Sequence, residues 1–230
     1  MHLTAFENAT RFRDAYAISD EPRIAEIGSQ IVEEQASLRQ LFPRAECYVG
    51  YDFVEGVGVD VVVEDPYSLP AADGSFGCVL SSSCFEHAEF FWLSFLEMVR
   101  ISGPGGLIYL NAPSNGKIHR HPYDCWRFYP DSGIALQRWG RKNGYGVTLL
   151  ESFTSYQKND CWNDFVAVFC RDDGDPTLIP ESRILADFSD YKNGYMLGVE
   201  GLLSGSELTE DMARREIAAR VSLGALEATW

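Results

Sequence analysis

The 230-residue chain is short of several features that would place it early, and each shortage excludes something. No apolar run approaches the roughly 20 residues that cross a bilayer. The opening M-H-L-T-A-F-E-N-A-T-R-F-R-D also lacks the continuous apolar core of a signal peptide. A cytoplasmic protein that engages no membrane is the expectation. Basic residues are scarce: 19 Lys and Arg stand against 34 Asp and Glu, a formal charge of −15. That field repels a phosphate backbone, so no nucleic acid is expected as a partner. None of the six cysteines (Cys47, Cys78, Cys84, Cys125, Cys161, Cys170) forms a C-x-x-C pair, so neither a disulfide framework nor a thiolate zinc site is indicated. Repeats and low-complexity tracts are missing. So is the dinucleotide fingerprint G-x-G-x-x-G: the chain reads Glu26-Ile27-Gly28-Ser29-Gln30, and a pyrophosphate would find no second glycine to approach.

What is present is an alternation of short apolar runs with helical patterns. Residues 3–18 suit an N-terminal helix anchored by Phe6, Phe12 and Tyr16, and Pro22 ends it. Strands are expected at Arg23–Ile27, Cys47–Tyr51, Val59–Val63, Phe76–Ser81, Leu107–Leu110, Thr148–Phe153 and Phe165–Cys170. Helices are expected after Gln30 to about Leu41, over Phe85–Ile101 and around Asp131–Gly140. This order implies an α/β fold: a Rossmann-like, doubly wound, mostly parallel seven-stranded sheet with helices on both faces. Residues 1–20 read as a helical segment, 21–170 as the cofactor-binding domain and 171–230 as an extension. The extension closes with an amphipathic helix whose Leu208, Met212, Ile217 and Val221 share one stripe. Such a stripe must be covered, by its own domain or in a homodimer.

Asp52 and the Ser81–Ser83 run lie just past two expected strand ends, where ligands bind in open α/β sheets. An acid there can accept both hydroxyls of a ribose. In order the chain carries A-E-I-G-S after the first strand, Asp52 after the second, E-D before S-L-P at Asp65, then D-G-S-F-G-C-V-L-S-S-S-C-F-E-H and R-I-S-G-P-G-G-L-I-Y-L. In these motifs, from Arg23 to about Gly144, the chain resembles the class I S-adenosylmethionine-dependent methyltransferases, particularly their type 11 branch. The resemblance implies S-adenosylmethionine as cofactor and S-adenosylhomocysteine as product. It implies that Glu26, Gly28 and Ser29 form the turn beneath the methionine part, and that Asp52, with Phe53 beside it, holds the ribose. It further implies that Asp65, with Pro66, receives the adenine amino group, Ser81 lines the floor and His87 closes the site. The departure is the glycine loop, where Ser29 and Gln30 stand in place of further glycines.

Methyl transfer to a hydroxyl needs a base. Two of the four histidines, His119 and His121, lie in N-G-K-I-H-R-H-P-Y-D-C-W-R-F-Y-P just past the fifth strand, the loop over the cofactor in this fold. Two apart in an extended segment, they point the same way, and imidazole titrates near neutral pH. The D-C-W-R-F-Y-P run resembles a signature of members acting on sugars and polysaccharide precursors. It suggests Asp124 as an orienting acid and Trp126, Arg127 and Tyr129 as substrate contacts. Two histidines and a carboxylate also make a divalent-metal set, but H-x-H-x-x-D is short and common, and no metal ligand is assigned. The resulting expectation is O-methylation of a sugar or natural-product hydroxyl, the substrate being a small molecule or glycan precursor. The alternatives are N-methylation and a catalytically inert partner subunit of the same fold.

Overall fold

Successive residues of the central strands feed opposite faces of one sheet, as a period of two requires. Ile24, Leu80, Tyr109 and Val168 enter one core, while Ala25, Val79, Ile108 and Phe169 enter the other. The computed structural model describes residues 2–18, 22–32, 36–158 and 162–223. Its strands are β1 (Arg23–Ile27), β2 (Cys47–Asp52), β3 (Val61–Val62), β4 (Phe76–Ser82), β5 (Ser102–Pro113), β6 (Val147–Ser155), β7 (Asp164–Arg171) and β8 (Tyr191–Met196). They lie in the order β3-β2-β1-β4-β5-β7-β6-β8. β1 to β5 run parallel; β7 is antiparallel to both β5 and β6, and β6 is antiparallel to β8.

Among the described residues four α-helices accompany the sheet: α1 (Leu3–Ala15), α2 (Phe91–Ile101), α3 (Asp131–Lys142) and α4 (Glu210–Ser222). α2 and α3 cover one face through Phe95, Met98, Val99 and Leu136. α1 covers the other through Ala9 and Phe12, joined by Ile184, Leu185 and Tyr191. Buried Glu151 ties that face together, accepting from the Tyr16 hydroxyl at 2.6 Å and from the Ile184 and Leu185 amides. Helices on both faces and a mostly parallel sheet match the expected α/β fold.

Several details differ. Among the described residues the sheet has eight strands, because β8 pairs with β6 through Ser152–Tyr195 and Thr154–Lys192. Its sequence Y-K-N-G-Y-M reads as a turn, and Asn193 does adopt φ +53°, yet Tyr191 at its head is buried against Phe153. The helix expected after Gln30 is replaced, among the described residues, by extended chain and one 3-10 turn at Leu38–Leu41. Here the Gln30 amide donates to the Asp52 carboxylate and the Ile31 amide to the Val57 carbonyl, two bonds that tie this segment to the chain that follows β2. β3 is only two residues long. α2 begins at Phe91 rather than Phe85, and Phe85–His87 form a turn instead. β5 begins at Ser102, so Gly103–Gly106 open a strand rather than a loop. In α4, Met212 is 49% exposed and Val221 39%, so the described residues leave these two stripe positions uncovered; the Ile217 side chain lies outside the described residues, as does Cys161. No helix among the described residues is long and apolar enough to cross a membrane.

The chain leaves β1 for β2 and β3 on one side, then returns to β4 and β5 on the other. β1 and β4 are therefore neighbours at the reversal, and their carboxyl ends open a crevice. Register holds these ends level, since Ile27 pairs with both Tyr51 and Ser81.

Candidate functional site

A cleft of about 730 Å³ occupies that crevice. Its first wall is built from strand ends. Gly28 follows β1 at φ +78°, and a Cβ there would stand 2.5 Å from the Cys84 Cβ, so the close approach of the two loops requires glycine. The Gly28 and Ser29 amides both donate to the Tyr51 carbonyl, curling the loop over β2. Asp52, the last residue of β2, is 9% exposed; its two oxygens accept from the Gln30 amide at 3.0 Å and the Val54 amide at 3.3 Å. Glu26 is buried and accepts from the Tyr48 hydroxyl at 2.6 Å; burial pushes its carboxyl up to about 7, with Tyr48 opposing. Glu26, Gly28, Ser29, Asp52, Phe53 and Pro66 all line the cleft.

The second wall is a loop docked on a turn. The Glu86 carbonyl accepts from the Cys125 and Trp126 amides, and the Trp126 indole N–H donates to the Ala88 carbonyl at 3.0 Å. The His87 Nδ1 meets the Tyr123 carbonyl, which can only accept, so Nδ1 carries a proton and Nε2 is turned toward the Glu86 carboxylate. Asp124 takes two bonds from Arg127, at 2.6 and 2.9 Å, and one from the His119 amide at 2.7 Å. The Arg127 guanidinium holds the Asp124 carboxyl down at about 2. Docked this way, the loop presents His119 and His121 to the cleft beside His87.

The two loop histidines are in different situations. His119 Nε2 lies 3.8 Å from the Glu86 Oε1, and its Nδ1 lies 3.5 Å from the Asp124 Oδ2. The Glu86 carboxylate raises the His119 pKa, desolvation opposes it, and Asp124 adds to the rise. His121 is exposed in the cleft wall, and its ring nitrogens make no hydrogen bond among the described residues.

Some expected residues stand elsewhere. Ser81 is buried beneath the cleft, donating to the Ile27 carbonyl at 3.0 Å to tie β4 to β1; Ser82 and Ser83 form the lining instead. Asp65 is exposed, accepts from the Tyr67 amide in a local turn and does not line the cleft. Asp124, Trp126 and Arg127 do not line it either, because their polar groups hold the loop in place. Tyr129 borders a second, smaller cleft of about 340 Å³ beside β8. Conversely, Glu86 escaped the sequence reading although it stands in the quoted F-E-H. It is 1% exposed, its Oε1 is 3.6 Å from the His87 Nε2, and its Oε2 has no hydrogen-bond partner among the described residues. An acid directly before a histidine inside an apolar stretch was the available signal.

The charge on the lining tests what the cleft can hold. Among the described residues Glu26, Asp52, Glu86 and Glu89 face it, against Arg120 as its one permanently cationic side chain. A pyrophosphate would be repelled, whereas S-adenosylmethionine, with a sulfonium and an ammonium against one carboxylate, carries a net positive charge. Ser29 and Ser82 Oγ are buried among the lining residues without hydrogen-bond partners, and a polar ligand would satisfy them. The residues present fit that cofactor.

Residues 27–110 match the model of a family described as a methyltransferase domain. No curated protein matches the chain. Among solved structures, the chain is similar to the Burkholderia thailandensis 1,6-didemethyltoxoflavin N1-methyltransferase, solved with its substrate and S-adenosylhomocysteine. The TM-score is 0.56 at 14% identity, over 73% of this chain and 78% of that one. A Galdieria sulphuraria protein described as a sarcosine dimethylglycine methyltransferase aligns with TM-score 0.54 at 10% identity, covering 74% and 86%. The [4+2]-cyclase SpnF aligns with TM-score 0.51 at 12% identity, covering 72% and 81%. At such identities these likenesses concern the fold.

Proposed function

From the premise that the chain carries a methyltransferase domain of the class I, S-adenosylmethionine-dependent kind, we propose that it methylates a hydroxyl of a sugar or small natural product, with His121 as the base. When bound, S-adenosylmethionine supplies a methyl group activated on sulfur. The chain's own work is positioning and proton handling. Asp52 and the Gly28–Gln30 loop hold the nucleoside, and the acidic lining favours the cofactor's positive charge. The docked loop fixes the acceptor side.

The observation that carries this reading is the contrast between the two loop histidines. His119 has a carboxylate facing each ring nitrogen, which favours its cation and makes it a poor proton acceptor. His121 faces the cleft with its ring nitrogens unengaged among the described residues, so it can take the proton from a hydroxyl. Nitrogen is the second reading, favoured by the Burkholderia relative, which is an N-methyltransferase. A neutral amine needs no strong base, so the two readings part on one variant.

The test follows S-adenosylhomocysteine release over a panel of glycoside, phenol and amine acceptors. His121→Ala lowers turnover on a hydroxyl acceptor by about a hundredfold or more and leaves S-adenosylhomocysteine affinity within about twofold. Near-normal turnover in that variant removes His121 as the base, and activity on amines alone establishes the second reading.

A further inference from the structure

Glu86, His87 and His119 have no assigned role in methyl transfer beyond shaping the wall and its charge, yet their ligand atoms converge. One carboxylate oxygen and two imidazole nitrogens all lie within 4.8 Å of one another. The Glu86 Oε1 is 3.6 Å from the His87 Nε2 and 3.8 Å from the His119 Nε2. A first-row divalent cation with bonds of about 2.0–2.2 Å sets its ligand atoms roughly 3–3.5 Å apart. The observed oxygen-to-nitrogen spacings are thus a few tenths of an ångström from closure.

We propose that Glu86, His87 and His119 form a binding site for a divalent cation of the zinc or manganese class in the wall of the cleft. Three further observations support it. The Glu86 Oε2 is buried without a hydrogen-bond partner, so its carboxylate is aimed at imidazoles and lacks the donors that a buried carboxylate needs. The His87 Nδ1–H is fixed by the Tyr123 carbonyl, which leaves Nε2 as the ligand atom. The His119 Nδ1 faces Asp124, and Asp124 is itself held by the two Arg127 bonds. Ligating histidines typically have their second nitrogen oriented by a carbonyl or a carboxylate, as the His87 Nδ1 is by the Tyr123 carbonyl, whereas the His119 Nδ1 stands 3.5 Å from the Asp124 Oδ2 without a hydrogen bond among the described residues. Two imidazoles with one carboxylate select a transition-type cation over magnesium or calcium and leave positions open. The set differs from the H-x-H-x-x-D spacing of the sequence: Asp124 is engaged by Arg127, and the His121 ring centroid stands 6.0 Å from that of His87.

Binding of the cation does not depend on the methyl-transfer reading. Only its further use, to anchor the acceptor oxygen beside His121, rests on that reading. The experiment takes untagged full-length protein, stripped with a chelator and dialysed, and titrates it with cobalt(II) and separately with manganese(II). Calorimetry gives affinity and stoichiometry, and visible absorption reports the cobalt ligands. The expected result is one site per chain, with cobalt bands of nitrogen and oxygen coordination and no thiolate charge-transfer band. His87→Ala and Glu86→Gln each weaken binding at least tenfold. His121→Ala leaves it unchanged, and circular dichroism checks that each variant is folded. Absence of a one-to-one site at millimolar metal overturns the proposal. So does a thiolate band, or equal affinity in wild type and in His87→Ala, the more exposed of the two substitutions. Metal binding that survives alongside inactive methyl transfer would sink the functional reading and leave the site standing.

Discussion

The two walls of the cleft are made by different means. The strand-end wall is set by backbone: parallel register brings Ile27, Tyr51 and Ser81 level, and Gly28 and Asp52 follow from where β1 and β2 stop. The loop wall is set by side chains and carbonyls far apart in sequence, with Trp126 bonded to Ala88, His87 to Tyr123, and Asp124 to Arg127. A wall carried on a loop is where side chains can vary to match a particular acceptor while the strand ends stay in place. Substitutions in the strand-end wall should therefore change cofactor affinity, and substitutions in the loop wall should change turnover or stability while sparing it.

The largest effect should come from Asp52→Ala. If its carboxylate accepts both ribose hydroxyls, two charge-assisted bonds of roughly 1.5–3 kcal/mol each are lost. Calorimetric affinity for S-adenosylhomocysteine should fall about a hundredfold. The Gln30 and Val54 amides also lose their acceptor, so the ligand-free melting temperature should drop by a few degrees. Unchanged affinity would break the comparison at its strongest point and remove Asp52 from the site.

The same contrast explains what could be read from sequence. Positions fixed by strand ends were legible: β1 was bounded correctly, Asp52 was read from its place after an apolar run, and Glu26, Gly28 and Ser29 came from the family resemblance at the end of β1. Positions fixed by long-range hydrogen bonds were not. Glu86 was absorbed into an expected helix, because nothing local reports that residues 85–90 turn so as to receive a loop 40 positions on. Trp126 and Arg127 have side chains suited to a substrate, but a docked loop needs anchors of the same types. β8 was hidden by Asn193-Gly194, a turn signal that tertiary pairing with β6 overrides.

A smaller effect, again in the strand-end wall, concerns Glu26. Its folded pKa near 7 lies above the ordinary value of 4.5, with burial as the leading cause. Between these values the unfolded chain has released the proton and the folded chain keeps it. Stability therefore falls as pH rises from about 4.5 to 7 and levels off above, a loss on the order of 2–3 kcal/mol. Glu26→Gln cannot ionise, so urea denaturation should give a variant whose stability relative to wild type rises across that window. A flat difference between the two proteins would show that Glu26 does not hold its proton in the folded state.

The smallest effect belongs to the loop wall and to Asp124→Asn. The substitution keeps shape but removes the negative charge that two Arg127 bonds engage. It leaves the partly buried guanidinium without its counter-charge, which is costly for buried pairs. Because Arg127 retains a quarter of its side-chain exposure, solvent screens the loss to about 1–2 kcal/mol. The sign with pH is opposite to that of Glu26. Asp124 has a folded pKa of about 2, below its ordinary 3.8, so the pair's contribution is complete above 3.8 and is lost as pH falls through 2. The stability gap between wild type and Asp124→Asn should hence be constant from pH 7 to about 5 and narrow below 3.8. S-adenosylhomocysteine affinity at pH 7 should stay within about twofold of wild type, since the pair anchors the loop and does not line the cleft. A tenfold loss of cofactor affinity in this variant would mean that the two walls are one mechanical unit.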